Sequence, residues 1–398
     1  MCTALQVALV DLLRNWNIKP TAVVGHSSGE IAAAYCMGAI SREDAWKIAY
    51  HRGRLAQDIK RFVPNLDGGM LAAGLNKEQV PKYLDQVTDG RVVLACINSP
   101  SSVTISGDRS GIDQLHNLLV ADGVFSRKLQ VSNAYHSHHM KIIAQAYLEC
   151  LTGTNPDTAS VSKVKMFSSV TGREITSEDL GPQYWVENLT SPVRFSEAAA
   201  RLLDYSPNMK KRRREQNPFV DILVEIGPHA ALKGPLKQIL EASQGATTTT
   251  SYLSLLQRGT DAAFSTLTAI GGIFVKGYDV DIAKVNTVEV ERPQEPTPLV
   301  DLPSYPWTRS TRYWHESTLS QNLRFRKQPR LDLLGAPVLD YNPMEPKWRQ
   351  FIRKSENPWV QDHRVSYIVT QIDIMHTKPC LGAINHVVSR CRNDHNGH

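Results

Sequence analysis

The sequence predicts an α/β body interrupted by an inserted β-α-β-β-α-β unit and followed by smaller, less regular units. Three observations predict it. The stretch "AVVGHSSGEIAAAY" (22–35) runs from β-branched residues through a glycine-flanked serine pair straight into an Ala-rich helical pattern. Between residues 68 and 131 strand-like and helix-like segments follow one another in a different order from the rest. Finally, 398 residues exceed what one compact core usually holds, so two or three units are expected.

The opening "MCTALQVALVDLLRNWNIKP" reads as an amphipathic helix bearing Asp11 and Arg14, without the basic start or cleavage site of a signal peptide. "TAVVGHS" is a short buried strand. "SREDAWKIAYHRGRLAQ" is a helix with Ser41 as N-cap and Asp44 three residues on, a capping-box spacing. From Gly68 the pattern changes: strand "GGMLAAGL", helix "KEQVPKYLDQV", two strands in "RVVLACINSPSSVTISGD", helix "RSGIDQLHNLLVADG" and strand "FSRKLQV". That order is the ferredoxin-like one, so 68–131 is expected to be a ferredoxin-like subdomain inside the larger body. The body resumes with "HSHHMKIIAQAYLECL" and continues through "VKMFSSVTG", "YWVENLTSPVRFSEAAARLL", "FVDILVEIG" and "TDAAFSTLTAIGGIFVKG", closing near residue 285. Residues 286–328 shift to Pro, Thr, Arg and aromatics and read as a linker, partly extended and packed by its aromatics. A further unit spans 329–365, and 366–398 lack periodicity and are expected to be disordered.

Net charge is +6, much of it in "KKRRRE" (Lys210–Glu215), which reads as a solvated loop because no groove-reading motif accompanies it. No run approaches the roughly 20 apolar residues of a membrane span. Neither a nucleic acid nor a membrane is therefore an expected partner. The six cysteines form no CxxC pair, as expected of free thiols in a reducing cytoplasm.

Gly25-His26-Ser27-Ser28-Gly29 fits G-x-S-x-G. A nucleophile on a strand-to-helix elbow needs small neighbours, and its Oγ then projects at a helix N-terminus whose N–H groups favour an oxyanion. The Ser28 N–H is one such donor. The plain alternative is a capping serine in a Gly-rich turn. A serine nucleophile needs a base, and the richest histidine stretch is "NAYHSHHM", with His136, His138 and His139. No carboxylate or cysteine set stands at ligand spacing there, so no metal is expected.

Six stretches occur in order: "GHSSGE", "HRGRLAQ" (51–57), "NSPSSVTISGD" (98–108), "NAYHSHHM" (133–140), "YWVENLTSPVRF" (184–195) and "EIGPH" (225–229). With them, residues 1–285 resemble the malonyl-CoA acyltransferase domain of iterative, highly reducing polyketide synthases of the fungal type. The resemblance implies an α/β-hydrolase-like acyltransferase core carrying the ferredoxin-like insertion. It implies Ser27 as the acyl-accepting nucleophile, His136 as general base, and Arg52 as the residue that grips the free carboxylate of the malonyl group. A guanidinium fork suits a carboxylate where lysine does not. Asn188 falls where the family holds the imidazole through a backbone carbonyl, so its side chain is expected to matter little. Ser28, His26 and Asn98 resemble pocket positions, with packing an equal reading for the last two. Tyr135, bulky and just before the histidine, resembles malonyl-selecting members. The implied reaction moves malonyl from malonyl-CoA through a seryl ester to the phosphopantetheine thiol of an acyl carrier protein. Both are substrates; no bound cofactor is implied. The implied partners are that carrier protein and the other synthase domains, ketosynthase and dehydratase.

"LPSYPWTRSTRYWHES" resembles the segment that follows this acyltransferase in such synthases, and "LLGAP…NPWVQDHRV" the start of their dehydratase, a double hot-dog. His363 matches its catalytic histidine, but the aspartate of the second hot-dog half has no counterpart here, so an incomplete, inactive hot-dog fragment is expected. The family's acyltransferase also begins upstream of this Met1, with a Gly-Gln-Gly segment carrying the other oxyanion donor, so an N-terminally truncated domain is expected. Two other readings stay open. One is a serine hydrolase or thioesterase of α/β type sharing G-x-S-x-G, and the other is a catalytically incompetent synthase fragment.

Overall fold

The computed structural model describes residues 1–158, 163–205, 220–244, 250–287, 299–308, 310–311, 313–331, 334–340, 342, 344, 347–351, 355–362, 364–365 and 368–369. The basic run 210–215 and His363 lie outside the described residues, as do nearly all of 366–398. The chain divides into two units, Met1–Thr297 and Pro298–His398.

In the first unit, helix α1 (Cys2–Asn15) leads through a turn to strand β1 (Ala22–Val24), then α2 (Gly29–Met37) and α3 (Arg42–Phe62). The Ser41 hydroxyl accepts the Asp44 N–H at 3.0 Å, the cap expected for α3. Its apolar residues recur every third or fourth position, so Ala45, Ile48, Leu55, Ala56 and Ile59 are buried on one face and the opposite face stays charged. β2 (Gly68–Ala73), α4 (Val80–Leu84), β3 (Val92–Ser99), β4 (Ser102–Asp108), α5 (Arg109–Ala121) and β5 (Ser126–Lys128) follow. The four strands form one antiparallel sheet in the order β3-β4-β2-β5. Beneath it, Leu71, Val103, Ile105, Ile112, Leu115 and Leu119 make a core of their own.

The chain returns to the body with α6 (His138–Lys141), α7 (Ala144–Cys150), β6 (Lys165–Phe167), β7 (Glu174–Ile175), α8 (Pro182–Thr190) and α9 (Phe195–Asp204). β8 (Ile222–Glu225), α10 (Lys233–Gln244), β9 (Ser251–Ser254), α11 (Ala262–Val275) and α12 (Ile282–Asn286) complete it. β1 pairs in parallel with β6, and β8 in parallel with β9. One large core joins α1, α2, α3, α7 and α8. A second joins Met70, Ala95 and Cys96 of the inserted sheet to Val193, Phe195, Leu236 and Ile239 of the body. At that seam the Ile97 N–H donates to the Val193 carbonyl and the Val193 N–H to the Ala95 carbonyl, both at 2.8 Å.

The second unit holds a helix α13 (Thr318–Arg324) and two short antiparallel pairs, β10 (Ala336–Pro337) with β11 (Trp348–Arg349) and β12 (Arg364–Val365) with β13 (Ile368–Val369). The expectation that the linker's aromatics pack it down is corrected here. Tyr305, Trp307, Tyr313 and Trp314 are exposed; Tyr305 and Trp307 meet each other in a tilted stack, and two neighbouring rings cannot bury one another. Among the described residues no helix is long and apolar enough to cross a membrane.

Candidate active site

The elbow is made by steric necessity. Ser27 has φ 52°, in the left-handed region that a residue with a Cβ enters at a cost. The chain turns so tightly there that a Cβ on Gly25 would stand 2.3 Å from the Glu30 backbone nitrogen, so only glycine fits. Ser28 then occupies the N-cap position of α2 without a side-chain cap, which puts its N–H at the start of that helix.

His136 comes to Ser27 on a loop 109 residues away. That loop is tied to α3 by the Asn133 amide, which donates to the Ala56 carbonyl at 2.8 Å. Ser137 closes the loop, donating to the Ala134 carbonyl and capping α6. His136 is itself left-handed, at φ 61°. Its Nε2 lies 2.7 Å from Ser27 Oγ and its Nδ1 3.0 Å from the Ser191 carbonyl oxygen. Since a carbonyl only accepts, the ring proton sits on Nδ1 and Nε2 is left to accept from the serine. Burial, with the Arg52 charge and then His26 adding to it, pulls the His136 pKa down to about 3. The imidazole is therefore neutral at neutral pH, with Nε2 able to accept a proton.

The position assigned to Asn188 is corrected. The carbonyl that holds His136 belongs to Ser191, just past the C-terminal end of α8, where the last carbonyls of a helix have no partner within it. Asn188 lies inside α8, its side chain 2% exposed, and that side chain is fully engaged. Its Nδ2 donates to the Ser27 carbonyl at 3.1 Å and to Glu30 Oε2 at 2.8 Å, and its Oδ1 accepts from Arg52 Nη1 at 2.6 Å. Arg52, on the buried face of α3, also points Nη2 at Ser27 Oγ, 3.0 Å away. Burial lowers its pKa, opposed by Tyr147, Tyr135 and Glu30 around it.

Glu30 is a site residue that sequence reasoning missed. It is fully buried on α2 and accepts from the Ser169 N–H at 2.5 Å and the Tyr184 hydroxyl at 2.6 Å as well as from Asn188. Burial raises its pKa against these donors. A signal was available: one carboxylate at the head of a helix otherwise reading "IAAAYCM" must be buried with partners.

His26 Nε2 lies 2.9 Å from Asn98 Oδ1, and the Asn98 amide donates in turn to Thr104. Burial holds His26 below its ordinary pKa, and its ring leans on Phe195. Asn98 is thus the inserted sheet's contribution beside the elbow. Tyr135, half-buried, packs against both of the larger cores.

Among the described residues, Asp108, His138 and His139 bring three ligand-type atoms within 4.8 Å of one another. The carboxylate that the local spacing did not offer thus arrives from the end of β4. Both Nε2 atoms face the same oxygen, Asp108 Oδ1, at 3.2 and 2.7 Å, while Oδ2 accepts the Arg91 N–H at 2.6 Å. Both Nε2 atoms and both carboxylate oxygens are thus engaged in hydrogen bonds that fasten the inserted sheet to α6, while the His138 Nδ1 is buried without a partner among the described residues.

With this geometry in hand, comparison with known proteins is specific. The acyl transferase domain family matches residues 2–280. The highly reducing polyketide synthase Preu1 of Preussia isomera is 50% identical over 368 residues, 92% of this chain and 15% of that protein. The highly reducing polyketide synthase dmxL2 of Cryptosporiopsis sp. is 50% identical over 366 residues, again 92% of this chain and 15% of the relative. The chain therefore spans about 15% of the length of these curated relatives. Among solved structures, the acyltransferase domain from module 8 of the salinomycin polyketide synthase superposes with a TM-score of 0.61 at 30% identity, covering 71% of this chain and 61% of that one. The chain belongs to the acyl transferase domain family, and within it to the acyltransferases of polyketide synthases.

Proposed function

We propose that this acyltransferase carries malonyl from malonyl-CoA to the phosphopantetheine thiol of an acyl carrier protein. The observation that carries the reading is Arg52: a buried guanidinium 3.0 Å from the nucleophile's oxygen. A buried cation beside a nucleophile favours an acyl chain ending in an anion, and malonyl ends in a carboxylate.

His136 Nε2 takes the Ser27 proton while Oγ attacks the thioester carbonyl. The oxyanion of the tetrahedral adduct is met by the Ser28 N–H at the head of α2. The adduct collapses, the C–S bond breaks, and His136 returns the proton to the departing CoA sulfur. The carrier thiol then attacks the malonyl ester with the same base and restores the serine. Tyr135, beside this site, narrows it against a branched extender. The imidazole's Nδ1 partner is a peptide carbonyl, where a Ser-His-Asp hydrolase has a carboxylate, and this favours transfer over the hydrolase reading.

We read residues 68–131 as a ferredoxin-like subdomain, supported by the antiparallel order β3-β4-β2-β5. We read 286–328 as the linker and 329–365 as the opening of a dehydratase hot-dog, supported by the antiparallel pair β10–β11 there. The partners we infer are a carrier protein and the ketosynthase and dehydratase of a highly reducing synthase, and no resident cofactor is required. The compartment we infer is the cytoplasm, in keeping with free thiols at Cys2, Cys36, Cys96 and Cys150. Incubation with radiolabelled malonyl-CoA tests the central reading. Label held on the protein and passed to a carrier thiol supports it; release of free malonate without transfer overturns it in favour of hydrolysis.

A further inference from the structure

We propose that Asn188 sets the preference for carboxylate-bearing acyl groups by standing as a neutral amide between the Glu30 carboxyl group and the Arg52 guanidinium. The inference rests on the reading of Arg52 given above and names the residue that keeps Arg52 available.

Three helices meet at this point: α2 brings Glu30, α3 brings Arg52 and α8 brings Asn188, all buried. Burying an acid and a guanidinium so close together ordinarily ends in a direct pair, because each charge lacks water and finds the other. Here they do not touch. The carboxyl oxygens of Glu30 are taken by the Ser169 N–H, the Tyr184 hydroxyl and the Asn188 Nδ2. The amide cannot turn round, since its Nδ2 has two acceptors, Glu30 Oε2 and the Ser27 carbonyl. Its oxygen is therefore fixed toward Arg52 Nη1. A single neutral acceptor engages one of five guanidinium N–H donors and neutralises none of the charge. A carboxylate in the same place would neutralise the fork and compete directly with the substrate's own. The same amide holds the carbonyl of Ser27, so the nucleophile and the cation share one support.

Asn188 is thus a positioning residue, and its role is read from selectivity. Initial rates of Ser27 loading are measured on the full chain over a range of malonyl-CoA and of acetyl-CoA concentrations. Asn188→Asp places an anion against Arg52 and is expected to raise the malonyl KM at least tenfold. The malonyl-to-acetyl ratio of kcat/KM should fall at least tenfold. Asn188→Ala removes the amide without adding a charge, freeing Arg52 to reach Glu30; the ratio should fall there too, by a smaller factor. If Asn188→Asp does not fold by circular dichroism, Asn188→Ala decides by the same ratio. Equal losses for both acyl groups, with the ratio unchanged, overturn the proposal and leave Asn188 a support of the elbow alone. A wild-type chain that itself shows no preference for malonyl overturns instead the malonyl reading.

Discussion

The Nδ1 of His136 lies 3.0 Å from the carbonyl oxygen of Ser191, so a neutral peptide group, and no carboxylate, fixes the tautomer of the imidazole. The imidazolium formed during transfer gains no ion pair from this partner. The Arg52 cation, after burial itself, opposes protonation. Two consequences follow for pH.

The acid limb of malonyl loading should lie well below pH 6.5, because the free base holds its neutral form down toward pH 3. Stability should move in the same range. The unfolded chain takes up the His136 proton near pH 6.5 and the native state does not, so native stability is level above that pH and falls as the pH drops below it. Urea midpoints measured between pH 7.5 and 4.5 should decline, and the decline should be shallower in His136→Gln. An acid limb at pH 6.5, with slopes identical in the two proteins, would contradict the burial of the base.

Ser27→Ala should leave no covalent malonyl adduct by intact-mass spectrometry, since it removes the hydroxyl that stands 2.7 Å from the imidazole. An adduct that persists would move the nucleophile elsewhere.

Arg52→Ala should reduce malonyl loading about 10- to 100-fold, the scale of a lost charge-assisted hydrogen-bond pair of roughly 1.5–3 kcal/mol, and reduce acetyl loading much less. Arg52→Lys should recover little, because an ammonium lacks the planar fork. Parallel loss of both acyl groups would remove the carboxylate role.

Gly25→Ala should destabilise the protein by at least about 1–3 kcal/mol, the range for forced overpacking, because the new Cβ meets the backbone nitrogen of Glu30 and has nowhere to go. Urea unfolding checks this, and an unchanged midpoint would mean the elbow is looser than its geometry.

Asp108→Ala should cost about 1–3 kcal/mol by stripping a buried imidazole of its acceptor. His139 is 1% exposed and has Asp108 Oδ1 at 2.7 Å, whereas His138 is partly open to water. His138→Ala should therefore cost much less. Equal midpoints for the two variants would show that the fastening is not made through His139.

The elements that carry the site were legible because their signals are local. The elbow announces itself in five consecutive residues, the α3 cap in Ser41 and Asp44, and the inserted sheet in its own period. What stayed hidden is what comes from afar. Asp108 reaches His139 across 31 positions, and Glu30 finds Tyr184 across 154. No window of sequence contains such a pair. The exchange between Asn188 and Ser191 has the same origin: one turn of helix decides which carbonyl is left over at the end of α8, and a motif gives the neighbourhood without that count. The linker aromatics failed differently, since bulk and apolarity say that a ring can be buried without saying what would cover it.

Three residues other than glycine have left-handed backbones among those described: Asn17, Ser27 and His136. Asn17 belongs to the type that accepts this conformation; the other two are the proposed nucleophile and its proposed base. Each costs roughly 1–3 kcal/mol of strain that its surroundings must hold in place. The reacting atoms are therefore aimed by a backbone that would relax if they were absent. Glycine at position 27 should fold more tightly than alanine there, although both are equally inert. Improving this enzyme's thermal resistance at either residue would mean unaiming it.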